Sequence, residues 1–260
     1  MTYILGARCK DGVVLVGDTK ITIDEGANYA YGEKLFKPFL SVVMGASGIS
    51  GLYKSFQDRM ISAVVELEKQ KIKMTPENIR ITAENVIRGM HNVYGEDRHI
   101  IINNLNVLMA LRINASAELI NFSGIGFPEP VNEIKAIGHG EPYGALFLKK
   151  LWHKGMTMEQ TAKLGVFIIK LIQDTNIDNS VGYDTEFLPQ VYYLPDISFP
   201  TDFNPNKFSS QEELQKSVDD IFNKKPIQQL SKDNVNQFIN EISSKISDFE
   251  MLFKSGQFKI

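Results

Sequence analysis

The hydrophobic pattern of this 260-residue chain changes period four times before residue 195, and that succession limits the fold more than any single motif does. Between Thr2 and Asp18, two β-rich runs, TYILGARC and GVVLVGD, are separated by Lys10-Asp11 with Gly12 next, which predicts a hairpin. KLF at Lys34 to Phe36 and FLSVVMG at Phe39 to Gly45 continue the strand character. Leu52, Tyr53, Phe56, Met60, Ile61, Val64 and Leu67 then recur at helical spacing, as do Ile79, Ala83, Val86, Ile87 and Met90 behind a Thr75-Pro76 start signal. NVLMALRI and ELINFSG, joined around Asn114-Ala115-Ser116, read as a second hairpin, and EIKAIG at Glu133 to Gly138 as a further strand. Pro142 to Trp152 and Met158 to Asp174 predict helices, the second opened by Thr157 with Gln160 in capping-box register. FLPQVYYL is a last strand, whose Pro189 marks an edge or a strand start. Strands, two helices, strands, two helices and a strand form an α+β order with segregated layers, unlike the alternation of a doubly wound sheet.

Composition shifts at Pro195. PDISFPTDFNPNKFSS carries three prolines among Asx and Ser residues and reads as a linker. Beyond it come a short helix, Gln211 to Phe222, and one helical stripe through Val235, Phe238, Ile239, Ile242, Ile246, Phe249, Leu252 and Phe253, with Gly256 as its stop. The expected organisation is therefore a main domain over residues 1–195 and a helical extension over 196–260, packed on that domain or on another chain.

A formal charge of −3 lacks the concentrated basic surface that nucleic acid requires, so no nucleic-acid partner is expected. The single cysteine, Cys9, excludes an internal disulfide and suits a buried, reduced position. His91, His99, His139 and His153 show no metal-ligand spacing, so neither a metal nor a cofactor is expected. The N-terminus lacks a secretory pattern and no apolar run reaches bilayer length, which predicts a cytoplasmic protein without a membrane partner.

Thr2 raises a chemical question. Once Met1 is removed, its hydroxyl and a free α-amine sit on one residue, a nucleophile joined to its own base. An α-amine titrates much nearer neutrality than a lysine, so it is the better-matched base, and a nearby lysine would act through its charge. Such a lysine needs a carboxylate to hold it. Asp18 follows Thr2 by 16 residues and Lys34 by 32, and each has an ordinary structural reading in isolation: turn chemistry for Asp18, a surface ion pair for Lys34.

TYILGARCKDGVVLVGDTKIT, then GEKLF, then GASG, resemble the proteasome β-subunit family and its bacterial relatives among the N-terminal nucleophile hydrolases. The resemblance spans residues 2 to 194 and implies a four-layer αββα sandwich with a C-terminal helical extension. It implies Thr2 as nucleophile and base, Asp18 as anchor, Lys34 as the charge and the Gly48 N–H as oxyanion donor, with Gly45 as the fallback. Lys20, a second cation close behind Asp18, is a further candidate. AIGHGEPYG at Ala136 to Gly144 resembles the family's glycine-rich turn, and DNSVG at Asp178 to Gly182 the loop that supplies an aspartate near the threonine. Asp178 is kept, while His139 and Val181 stand where the family has serines. His139 reads as a hydrogen-bonded loop residue or as a replacement proton carrier. The implied function is a threonine peptidase acting on peptides or unfolded protein, in a homo-oligomer or ring, with a specificity pocket near Met44 and Gly45. Two alternatives accompany it: amide transfer through the same acyl-ester, and a catalytically silent ring subunit.

Overall fold

The computed structural model describes residues 2–23, 28–113, 115–200 and 203–254, with side chains described as far as residue 248. The first two runs form β1 (Ile4–Cys9) and β2 (Gly12–Gly17), antiparallel, with Ile4 opposite Gly17 and Cys9 opposite Gly12. Side chains alternate across a strand, so each run serves two layers. Tyr3, Leu5, Ala7, Cys9, Val14 and Val16 go to one side, and Ile4, Val13 and Leu15 to the other. Both sides are buried, which is why GVVLVG is apolar throughout instead of alternating with polar residues.

The chain continues through β3 (Lys20–Ile23), β4 (Asn28–Tyr31), β5 (Leu35–Phe39) and β6 (Val42–Gly48). The helices α1 (Ser50–Lys69), α2 (Pro76–Tyr94) and α3 (Arg98–Asn104) follow, then β7 (Leu105–Leu111), β8 (Glu118–Ser123), β9 (Pro128–Pro130) and β10 (Ile134–Ile137). Next come α4 (Glu141–Leu151), α5 (Met158–Asp174), β11 (Gln190–Pro195), α6 (Gln211–Asn223), β12 (Gln228–Gln229) and α7 (Lys232–Lys254). Thr75 caps α2 by accepting from the Asn78 N–H, and Thr157 and Gln160 close the capping box of α5.

Two five-stranded sheets result, ordered β10-β1-β2-β11-β12 and β5-β6-β7-β8-β9. Three apolar layers hold them. Ile4, Leu15, Leu35, Val43, Leu108 and Leu119 fill the space between the sheets. Met44, Phe56, Met60, Ile87, Met109 and Phe122 join the second sheet to α1 and α2. Leu5, Val16, Ala162, Val166, Ile169 and Val191 join the first sheet to α5. The architecture is the four-layer αββα sandwich, with C-terminal helices added.

Among the described residues, β3, β4, α3, the three-residue β9 and the two-residue β12 escape the sequence pattern. Pro189 immediately precedes β11, which lies between β2 and the two-residue β12, so the proline marks the strand start. The Gly256 stop lies outside the described residues. In α7, Val235 and Phe238 are buried and Ile239 and Ile242 half-buried in the cluster on α5, while Lys163 of α5 pairs with Glu241 at 3.0 Å. The apolar stripe is thus used, up to residue 242, within its own chain. At the start of the extension the Asp196 carboxylate takes a bidentate contact from Arg8, at 2.9 and 2.6 Å, and the Ala117 N–H at 2.9 Å. Arg112 donates to the Pro195 carbonyl at 3.1 Å and to that of Lys225. Residues from both sheets therefore fasten the extension.

Leu15 is fully buried between the sheets, so Leu15→Ala should cost about 2–5 kcal/mol in denaturant unfolding. Val65→Ala, on an exposed face of α1, should stay within about 0.5 kcal/mol. Equal values for the two would contradict the assignment of Leu15 to the inter-sheet layer.

Candidate active site

The β1–β2 pairing extends one step past the strands and there changes character. Asp18 N–H donates to the Tyr3 carbonyl at 3.1 Å, and Tyr3 N–H donates to Asp18 Oδ1 at 2.8 Å. The residue next to Thr2 is therefore fastened directly to the carboxylate. Lys34, just ahead of β5 in the other sheet, brings its Nζ within 2.8 Å of both Asp18 oxygens. Gly182 N–H completes the shell at 3.2 Å from Oδ2. Asp18 is 0% exposed and Lys34 6%, so this is a dry ion pair and the surface-pair reading of Lys34 does not apply. Burial pushes the Asp18 carboxyl up and the Lys34 ammonium down, and the attraction between the two charges opposes both shifts.

The main chain that presents Lys34 is clamped by Gln190, a residue the sequence pattern passes over. Its Oε1 accepts from the N–H groups of Lys34 and Leu35, both at 2.7 Å, and its Nε2 donates to the Leu35 carbonyl at 3.1 Å. Gln190 belongs to the first sheet and Lys34 enters the second, so one side chain ties the two sheets together at the site. Tyr53 of α1 adds a hydroxyl bond to the Lys34 carbonyl at 3.1 Å. The available signal is a lone amide in an otherwise apolar strand, which has to find partners once buried.

Thr2 is 5% exposed and held from behind by the glycine-rich turn. Gly140 N–H donates to its carbonyl at 3.2 Å. Gly138 has φ +103°, and a Cβ there would lie 2.1 Å from the same oxygen, so this position requires glycine both for its backbone and for close approach. Between these two glycines stands His139, its Nδ1 2.8 Å from Asp178 Oδ2. Asp178 Oδ1 accepts from the Ser180 hydroxyl at 2.5 Å and from the Ser180 N–H at 2.9 Å. Burial by itself would raise the Asp178 carboxyl, but the Ser180 and His139 hydrogen bonds outweigh it and hold the group below the usual carboxylate range. Ser180 is thus a hydroxyl partner of Asp178 that sequence reasoning missed. Val181 packs in the helix-side core at 1% exposure.

Gly48 ends β6 at φ +122°, where a Cβ would lie 1.7 Å from the Asn104 carbonyl oxygen. That clash explains its identity without reference to a substrate. Gly45 lies in the inter-sheet layer, where a Cβ would meet Leu35 Cδ2 at 2.5 Å and Ile4 Cδ1 at 2.9 Å, which gives the fallback a packing role. Met44 is buried against α1 and α2, so its side chain lines no open pocket. Lys20 directs its ammonium over the Tyr29 ring at 3.9 Å instead of joining the pair, and its charge acts on Lys34 by repulsion, favouring the neutral amine. A cleft of about 150 Å³ beside this corner is lined by Thr19, Glu33, Phe187, Gln190, Leu230 and Lys232, so the C-terminal extension forms part of its wall.

The family model described as Proteasome subunit matches residues 2–187. A proteasome subunit beta of Methanococcus maripaludis (strain C5 / ATCC BAA-1333) is 28% identical over 149 residues, which is 56% of this chain and 64% of that protein. The aligned part therefore spans less than two-thirds of that relative. Among solved structures, Anbu from Hyphomicrobium sp. strain MC1 superposes with a TM-score of 0.64 at 15% identity over 97% of each chain, a superposition that takes in the C-terminal helices. An Anbu (Gly-1) mutant from the same strain gives 0.62 at 16% identity, over 85% of this chain and 95% of its own. These structural likenesses concern the fold alone. Since the family match takes in residues 2–187, well over half of the chain and including Thr2, Asp18 and Lys34, the chain belongs to the proteasome subunit family.

Proposed function

We propose that the chain is a threonine peptidase of the N-terminal nucleophile type, cleaving peptide bonds through an acyl-ester on Thr2. The observation that carries this reading is the continuous bonding from Tyr3 N–H to the Asp18 carboxylate and on to the Lys34 ammonium, which joins the residue beside Thr2 to a buried cation. With Met1 removed, the α-amine takes the Thr2 hydroxyl proton while Oγ attacks the substrate carbonyl. Lys34, held by Asp18, contributes a positive charge that favours the deprotonated amine and the developing alkoxide. The Gly48 N–H is the oxyanion donor in this reading, and Asp178 orders the loop across from Thr2. Water then releases the acyl group. The substrate class is peptide or unfolded protein, the working form a homo-oligomer in the cytoplasm, and mass in solution is the measurement that checks the assembly. Among the described residues no helix is long and apolar enough to cross a membrane.

One observation favours a second reading, in which an amine acceptor takes the acyl group instead of water. Val181 is an aliphatic side chain buried where a family hydroxyl is expected, so that support for a bound water is missing.

Thr2→Ala should abolish turnover of peptide-amide reporters, and Lys34→Ala should lower it by about 10²–10⁴-fold. Lys34→Ala also strands the Asp18 charge, at about 3–5 kcal/mol, so its melting is recorded beside its rate. Unchanged rates in both folded variants would end the proposal. Intact Met1 on protein isolated from its native cell would instead identify a silent subunit, and added amines diverting product from the free acid would identify transfer.

The depressed Asp178 carboxyl stabilises the fold above its unfolded pKa, and that contribution is lost as pH falls through its folded pKa. Ser180→Ala removes one of the bonds that depress it and raises the folded pKa. The acid limb of a melting-temperature profile should therefore move to higher pH in this variant. An unmoved limb would show that Asp178 does not depend on the hydroxyl.

A further inference from the structure

His139 stands in an arrangement that a loop histidine does not need. Its neighbours on both sides flank the Thr2 carbonyl: Gly140 N–H donates to it at 3.2 Å, and a Cβ on Gly138 would lie 2.1 Å from it, which fixes the main chain of His139 beside Thr2. Its Nδ1 is engaged by Asp178 at 2.8 Å, and Asp178 is itself buried and held by Ser180. The rest of the ring faces outward, with the side chain 59% exposed. Asp178 keeps its carboxyl ionised and can only accept, so the His139 Nδ1–H donates to it and Nε2 is the ring nitrogen left for other partners. A buried carboxylate thus orients the ring, and the exposed side chain stands on the turn that holds Thr2. The other charges nearby are engaged elsewhere: Glu141 with Lys135 at 3.3 Å, and Lys34 with Asp18.

We propose that His139, oriented by Asp178, is the general base of the second half-reaction, acting on the water that releases the acyl group. This rests on Thr2 being the nucleophile. The α-amine of Thr2 serves acylation, and the imidazole serves deacylation. In that step the water oxygen bonds to the acyl carbon as Nε2 takes one of its protons. The tetrahedral adduct then collapses, the bond from carbon to Thr2 Oγ breaks, and Oγ leaves with the proton returned from the imidazolium. The products are a carboxylic acid, free Thr2 and neutral His139. Ser180 is a positioning residue in this scheme, acting through Asp178.

The test is pre-steady-state turnover of a peptide nitrophenyl ester, with intact mass measured alongside. His139→Ala should retain the initial burst of nitrophenol but lose about 10²-fold or more in the steady rate, and the acyl adduct on Thr2 should accumulate. Because the position is exposed, added imidazole should restore the steady rate. His139→Gln keeps a donor for Asp178 without a base, so it should fold and show the same loss; it decides the matter if the alanine variant does not fold. A steady rate unchanged in the glutamine variant overturns this inference alone, as does a burst lost in parallel with the steady rate and no response to imidazole. Absence of any adduct in the unaltered protein overturns the nucleophile reading and this one together.

Discussion

The site depends on an ion pair removed from water. A carboxylate and an ammonium each lose several kcal/mol of hydration on entering a protein interior, and their attraction offsets the loss only where geometry and hydrogen bonding are nearly complete. Asp18 meets that condition through both of its oxygens, with Lys34 on each and the Tyr3 and Gly182 N–H groups filling the rest. The three partners come from three separate segments. Forming the pair therefore requires the β1–β2 hairpin, the turn into β5 and the loop after α5 to arrive together, which ties local chemistry to the complete fold.

Much of this was legible in the order of hydrophobic periods. Long runs such as GVVLVG and the stripe from Leu52 to Val64 bury enough apolar surface to declare their layer. β9, β3 and β4 show little apolar surface: β9 is Pro-Glu-Pro, and β3 and β4 pair only with each other, with no fully buried residue between them. α3 is apolar but, at seven residues, too short to show a helical period. At the site, the resemblance to the proteasome β-subunit family, more than any local pattern, pointed Thr2, Asp18 and Lys34 to a shared location, and Asp18 and Lys34 do meet. Gln190 and the bond between His139 and Asp178 were hidden for a different reason. Their partners lie 155 and 39 residues away, and no local pattern encodes a contact at that separation. Ser180 was close enough to Asp178 to be found, since an aspartate commonly bonds to a hydroxyl or N–H two residues on.

The C-terminal residues have a more integrated position than their composition suggests. A proline-rich linker followed by an amphipathic helix reads as an appendage. Here β12 lengthens the first sheet, α7 lies on α5, and Leu230 and Lys232 reach the cleft beside Lys34. The stripe along α7 meets α5 through residues that also serve the main core, so extension and sandwich share one hydrophobic layer.

The amide of Gln190 spans the gap between the two sheets and grips the peptide groups on either side of the Lys34–Leu35 bond. Sliding one sheet over the other would drag that backbone along and tilt the ammonium off its carboxylate. The alignment of the sandwich and the electrostatics at Thr2 thus behave as one mechanical unit, so a load applied to the outer helices would be felt as a change of charge placement at the chain's beginning.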